Sequence, residues 1–284
     1  ITTELTKEFT HIFLFEDKQK AAYFYNDLER YFNDAEIDYS EKQILFYPSS
    51  FFHENDTNKL QHTNIQLRTA ILERLTNSTA KVIITYPQAF CEKTVDKKSF
   101  NNNIISINKG EDLNIDSLID ILDEFGFERS DIVYQPGQYS IRGGIIDVFS
   151  FSQENPYRIE LFGDTIDSLR TFDILTQLSI DEKDNFNIVP NFTQNQETTT
   201  KTPFTKWLDE KTILWINQAD ICLSKVMSIE EKQNTNDTFI SSKEFLTAVK
   251  GKTLVYLGND FQNKETNPIC FNTSPQPVFN SNFS

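Results

Sequence analysis

Four of the chain's seven arginines, Arg129, Arg142, Arg158 and Arg170, fall within residues 129–170, a stretch without lysine in a chain that has 20 of them. Arginine presents a rigid five-donor fork suited to pairing with carboxylates and to stacking on rings, so this local switch from lysine to arginine points to an interface. Strand alternation sharpens the reading. In Tyr157-Arg158-Ile159-Glu160-Leu161-Phe162, the residues Tyr157, Ile159 and Leu161 point to one face, and Arg158, Glu160 and Phe162 to the other. If the first set is core, Arg158 and Phe162 share the outward face, and an exposed aromatic beside arginines has the composition of a binding hot spot. The competing reading keeps everything inside the domain. Phe162 then turns inward at the strand end, and the arginines pair with Glu160, Asp164 or Asp167.

Other chemistry finds no support. A phosphate cradle needs glycines for close backbone approach and a lysine for the terminal phosphates. The junction after the first strand reads Phe15-Glu16-Asp17-Lys18-Gln19-Lys20, without glycine and with two carboxylates that would repel a triphosphate. Gly251-Lys252-Thr253 mimics the end of such a loop. However, Leu246 stands where its first glycine is required, and Gly251 reads as a helix cap. No GxSxG elbow and no local Cys/His signature occurs, so no catalytic residue is assigned. Asp123 and Glu124 read as a solvated face. Cys222 reads as core packing and His11 as an unremarkable residue at a strand edge. Cys91, Cys222 and Cys270, with His11, His53 and His62, form neither a disulfide framework nor a metal-ligand spacing.

The 284 residues suit two compact units, or one domain carrying an insertion. With 27 basic against 42 acidic residues the net charge is −15, which disfavours non-specific contact with nucleic acid or with an anionic membrane. A hydrophobic content of 38%, with 25 Phe and 10 Tyr, is ample for a core. No apolar run is long enough to span a bilayer, and Ile1-Thr2-Thr3-Glu4-Leu5 does not read as a secretory leader. The expectation is a cytoplasmic protein.

The elements that must position the arginines follow from periodicity. Residues 1–102 read as strand, helix, strand, helix, strand: His11–Phe15, a helical face of Ala21, Tyr25, Leu28 and Phe32, then Ile44–Tyr47. A second helical face of Leu67, Ala70, Ile71 and Leu75 leads to Lys81–Thr85. That is the pattern of a parallel sheet covered by helices. From 103 to 190 the rhythm changes. Asn103–Asn108 reads as a strand. Asn114 caps a helix with the stripe Ile115, Leu118, Ile119, Leu122 and Phe125, and Gly126 ends it. Closely spaced turns at Pro136-Gly137, Gly143-Gly144, Asn155-Pro156 and Gly163-Asp164 then mark an antiparallel meander. After a polar linker, Asn191–Lys201, the first rhythm returns. Ile213–Ile216 and Leu254–Leu257 read as strands, with helical faces between them at Ala219, Cys222, Leu223 and Val226 and at Phe245, Leu246 and Val249. Thr273–Ser284 is rich in Asn, Ser and Pro. The fold class is therefore α/β. Residues 1–102 with 191–284 build one parallel-sheet domain, interrupted by an α+β domain over 103–190.

The stretch Tyr134–Phe149, with Pro136-Gly137-Gln138-Tyr139-Ser140-Ile141-Arg142-Gly143-Gly144-Ile145-Ile146-Asp147, continues into Pro156–Asp164 and Ile166–Asp173. It resembles the second domain shared by the bacterial excinuclease subunit UvrB and the transcription-repair coupling factor. The flanking segments match more weakly but in the same order. With Glu16-Asp17 at the first junction and only a short polar segment, Ser49–Gln61, after the second strand, the chain is similar to the coupling factor's amino-terminal module. That resemblance implies a degenerate phosphate-loop fold that binds no ATP. It further implies an adaptor that recruits UvrA to stalled RNA polymerase for nucleotide excision repair. Carried over by motif position, Arg142, Arg158 and Phe162 are the UvrA contacts, with Arg129 and Arg170 as flanking charge. ATP, magnesium, DNA and RNA polymerase would belong to domains beyond this chain, and in the family's full-length protein a carboxy-terminal domain would mask the UvrA surface. The alternatives are a UvrB-like, ATP-dependent damage-verification subunit and a module that binds DNA by itself. Ser150-Phe151-Ser152 departs from the family, in which a proline tends to follow the Val-Phe strand, so a different local loop is expected there.

Overall fold

In the computed structural model, residues 8–32, 42–50, 58–77, 82–192, 200–232 and 238–258 are described. His53, Lys81, Cys270, the 273–284 tail, residues 51–57 of the polar segment, 193–199 of the linker and the side chain of His62 lie outside them. In chain order the first elements are β1 (Thr10–Leu14), α1 (Lys18–Phe32), β2 (Ile44–Phe46), α2 (Asn58–Thr76) and β3 (Val82–Thr85). Then come α3 (Pro87–Cys91), β4 (Thr94–Val95) and α4 (Lys97–Asn102). The middle of the chain supplies β5 (Ile105–Asn108), α5 (Ile115–Glu124), β6 (Glu128–Arg129), β7 (Gln138–Arg142) and β8 (Ile145–Val148). It continues with β9 (Tyr157–Phe162), β10 (Thr165–Phe172), β11 (Ser179–Glu182) and β12 (Asn185–Ile188). The last part holds β13 (Lys201–Thr202), a 3₁₀ turn at Phe204–Trp207, β14 (Thr212–Asn217), α6 (Ala219–Lys232), α7 (Ser242–Lys250) and β15 (Thr253–Leu257).

The α/β class read from periodicity is what forms. Both ends of the chain contribute to one five-stranded parallel sheet, in the order β15-β14-β1-β3-β2. Its strands are short and almost wholly apolar because helices cover the sheet. Ile12, Leu14, Leu45, Ile83 and Ile84 are fully or nearly fully buried, as are Phe90, Phe204 and Trp207 around them. His11 is not at an edge: it lies in the central strand, buried, and its Nδ1 accepts a hydrogen bond from Trp215 Nε1 at 3.0 Å. Cys222 is buried as read, with Sγ 3.1 Å from the Asn217 carbonyl oxygen. Burial pushes its thiol up to about 12, which makes it a poor nucleophile. Gly251 takes the C-cap position of α7, whose N-terminus is closed by a reciprocal pair between Ser241 and Glu244.

The middle of the chain forms a six-stranded sheet, β11-β10-β9-β8-β7-β6. β7 to β11 are an antiparallel meander as expected, but β6, arriving directly from α5, pairs parallel to β7. Asn114 Oδ1 accepts from the Ser117 N–H at 2.8 Å and starts α5, which lays Leu118 and Leu122 on the inner face of the sheet. There they meet Tyr139, Ile146, Val148, Tyr157, Ile159 and Leu169. The β7–β8 hairpin closes in two residues, with Gly143 at φ +61°, a conformation other residues rarely take. The 191–201 segment is not all linker. Asn191 and Phe192 are buried, and Lys201 belongs to β13, paired with β4. Ser150 and Ser152, in the loop that departs from the family, are buried, and Ser150 Oγ accepts from the Val189 N–H at 2.9 Å. α2 touches this region directly: Ile65 joins its core, and Glu73 Oε1 accepts from Asn187 Nδ2 at 2.9 Å.

Candidate protein-docking site

The outer face of the six-stranded sheet carries polar residues in two rows set by register. The first runs Ser140, Asp147, Arg158, Arg170, Glu182 across β7 to β11. The second runs Arg142, Ile145, Glu160, Ser168. Asp147 faces Arg158 directly within the first row, and two ion pairs cross diagonally between the rows, Arg142 to Asp147 and Arg170 to Glu160. Asp147, only 1% exposed, is held between two arginines. Arg158 Nε lies 2.7 Å from Oδ1 and Nη2 2.9 Å from Oδ2, a bidentate fork, while Arg142 Nη2 bonds Oδ2 from the other side. The carboxylate holds the Arg158 guanidinium further into its charged form, against the opposing effect of burial. Arg158 also lies 4.3 Å from the Phe172 ring centroid, which completes its environment.

The three residues expected to share this surface lie on one face of the sheet, though with different openness. Arg142 is 43% exposed and Arg158 only 15%. Phe162, at the tip of the β9–β10 hairpin, is 84% exposed and does not turn inward. Arg170 pairs with Glu160, one of the intradomain partners weighed from the sequence, and Arg129 is exposed on β6 at the far edge of the sheet. Beside Arg158 the loop after β10 presents Leu175 and Leu178 to solvent.

Residues 105–193 match the UvrB interaction domain. The resemblance read from the motif is thereby borne out, and the arginine face is the outer face of that domain. The chain is 35% identical over 153 residues to the transcription-repair-coupling factor of Bacillus subtilis (strain 168), covering 53% of this chain and 13% of that protein. It is 28% identical over 151 residues to the transcription-repair-coupling factor of Haemophilus influenzae, covering 53% and 13%. It is also 26% identical over 188 residues to the UvrABC system protein B of Streptococcus suis, covering 61% of this chain and 27% of that protein. The chain thus spans 13% of the length of these coupling factors.

Sequence reasoning missed Asp147, which sits inside the UvrB interaction domain motif. The signal was present. Asp147 alternates with the core residues Ile146 and Val148, so it must face outward, and a two-residue hairpin at Gly143-Gly144 sets it level with Ser140 on β7. Glu160, Asp164 and Asp167 are near Arg158 in sequence, whereas Asp147 comes from the neighbouring strand.

Open α/β sheets usually take ligands at the switch point of the strand order, which here lies at the carboxyl ends of β1 and β14. It contains Glu16, 3% exposed. Its carboxylate accepts from Asn217 Nδ2 at 2.8 Å and pairs with Lys20. Burial by itself would raise the Glu16 pKa, but the bonds from Lys20, its own backbone N–H and Asn217 together hold it below the ordinary 4.5. Only Phe15, Glu16 and Asp17 connect β1 to α1. Among the described residues no group of three His, Cys, Asp or Glu side chains is arranged to hold a metal, and no helix is long and apolar enough to cross a membrane.

Proposed function

We propose that this chain is an adaptor of the transcription-repair-coupling type, which docks on the excinuclease subunit UvrA in the cytoplasm and so links a stalled RNA polymerase to nucleotide excision repair. The observation that carries this reading is an open Phe162 and Arg142 on the outer face of a region that matches the UvrB interaction domain. Arg142, Arg158 and Phe162 form the docking patch, with Arg129 and Arg170 as flanking charge. An exposed ring next to desolvatable arginines is the composition of a hot spot, worth about 2 kcal/mol or more for each key residue. RNA polymerase and DNA are engaged through parts of the protein beyond this chain.

The division proposed with it assigns 103–190 to the UvrA-binding domain and 1–102 with 191–284 to a UvrB-like α/β domain with a degenerate phosphate-loop fold. Two distinct buried clusters support that division. The α/β domain hydrolyses no ATP in this proposal. A three-residue junction without glycine leaves no backbone cradle, and the buried Glu16 carboxylate puts negative charge where a phosphate would need positive charge. The test is a calorimetric titration of the chain into UvrA, with Arg142→Ala and Phe162→Ala in parallel and circular dichroism for folding. Saturable binding that weakens about 30-fold in the folded variants supports the reading. Equal affinity in wild type and folded variants overturns the site, and release of inorganic phosphate from ATP by the chain alone overturns the non-ATPase assignment.

A further inference from the structure

A guanidinium has five N–H donors. Arg158 commits four bonds: two to Asp147, one to Gln177 Oε1 at 3.2 Å and one to the Gln177 carbonyl oxygen at 3.5 Å. Its guanidinium carbon lies over the Phe172 ring. Arg142 commits only two among the described residues, to Asp147 and to the Asp131 carbonyl oxygen at 3.2 Å, and it keeps almost half of its side chain in solvent. One arginine is therefore nearly saturated and the other is open, and the same buried carboxylate holds both.

We infer that Asp147 is a positioning residue of the docking surface, orienting Arg142 toward the partner while Arg158 braces the carboxylate from its more buried side. The inference rests on the UvrA reading and divides the labour among the residues placed there. Two cations around one carboxylate leave a single net positive charge, and the exposed Arg142 carries it on the same sheet face as the outward ring of Phe162. The partner group that fits is an anionic or carbonyl acceptor beside an apolar pocket. The physical gain is preorganisation. An unheld arginine would lose its rotamer freedom on docking, whereas this one has lost much of it already, during folding.

The experiment is a double-mutant cycle read by titration of the whole chain against UvrA, with circular dichroism and thermal melts on every variant. Asp147→Asn preserves shape and removes the charge. Arg158→Lys preserves charge and removes the fork, and it decides the question if Asp147→Asn does not fold. Each is expected to weaken binding about tenfold in the wild-type background and by no more than about twofold once Arg142 is already Ala. A merely structural role would not produce that dependence on Arg142. Wild-type affinity in either folded variant, or the same loss with and without Arg142, overturns the inference while leaving the UvrA reading standing. A wild-type chain that does not bind UvrA overturns both.

Discussion

In the parallel-sheet region, Arg68 lies 3.3 Å from Glu92 and 4.4 Å from the Tyr47 ring centroid, and both charged side chains are 4% exposed. Ser49 Oγ and the Ser50 N–H donate to Glu92 Oε2 at 2.8 and 2.9 Å, and Ser50 Oγ donates to Oε1. On the six-stranded sheet the same parts recur: Arg158 forks to Asp147 and stacks on Phe172. There, however, a second arginine reaches the carboxylate from the solvent side and an exposed phenyl ring follows at the hairpin tip. A sealed, fully satisfied ion pair organises its own fold. One that is sealed on one side and open on the other has charge left to offer. The two regions use one chemical unit for different ends, and exposure decides which.

The sharpest way to break this contrast is Glu92→Ala. It leaves Arg68 buried and uncompensated, and should destabilise the chain by about 3–5 kcal/mol in denaturant titration. Its effect on UvrA affinity should be negligible for the protein that remains folded. On the other sheet the pattern should invert. Phe162→Ala is expected to change stability by no more than about 0.5 kcal/mol, because the ring is in solvent, while costing about 2 kcal/mol of binding. A stability loss as large as that of Glu92→Ala would show that the two regions do not differ as described. Arg129→Ala and Arg170→Ala probe the edges of the patch. Each should lower affinity by less than about 1 kcal/mol, as befits charges at the rim or in partly exposed pairs.

The smallest effect concerns Glu16. Its folded-state pKa lies below 4.5, so it contributes stability that is present above that value and lost as pH falls through the lower folded value. Thermal melts of wild type and Glu16→Gln should therefore differ most near neutrality and converge on acidification. A gap that stays constant with pH would remove ionisation from the account of Glu16.

Much of this was legible along the chain because it is local. Period-two alternation put Arg158 and Phe162 opposite Tyr157, Ile159 and Leu161, and a side chain's face follows from its parity in a strand. The Asn114 cap, the α5 stripe and the Gly143-Gly144 turn are equally short-range, as is the motif that carries the family resemblance. What only the tertiary structure decided is partnership between segments. Asp147 meets Arg158 through the β8–β9 register, and β14 lies beside β1 across some 200 residues of sequence. His11 became a central-strand residue, and the start of the linker was buried. Strand order and register are settled by which apolar faces can be buried together and by the turns between them, and no single segment contains that information.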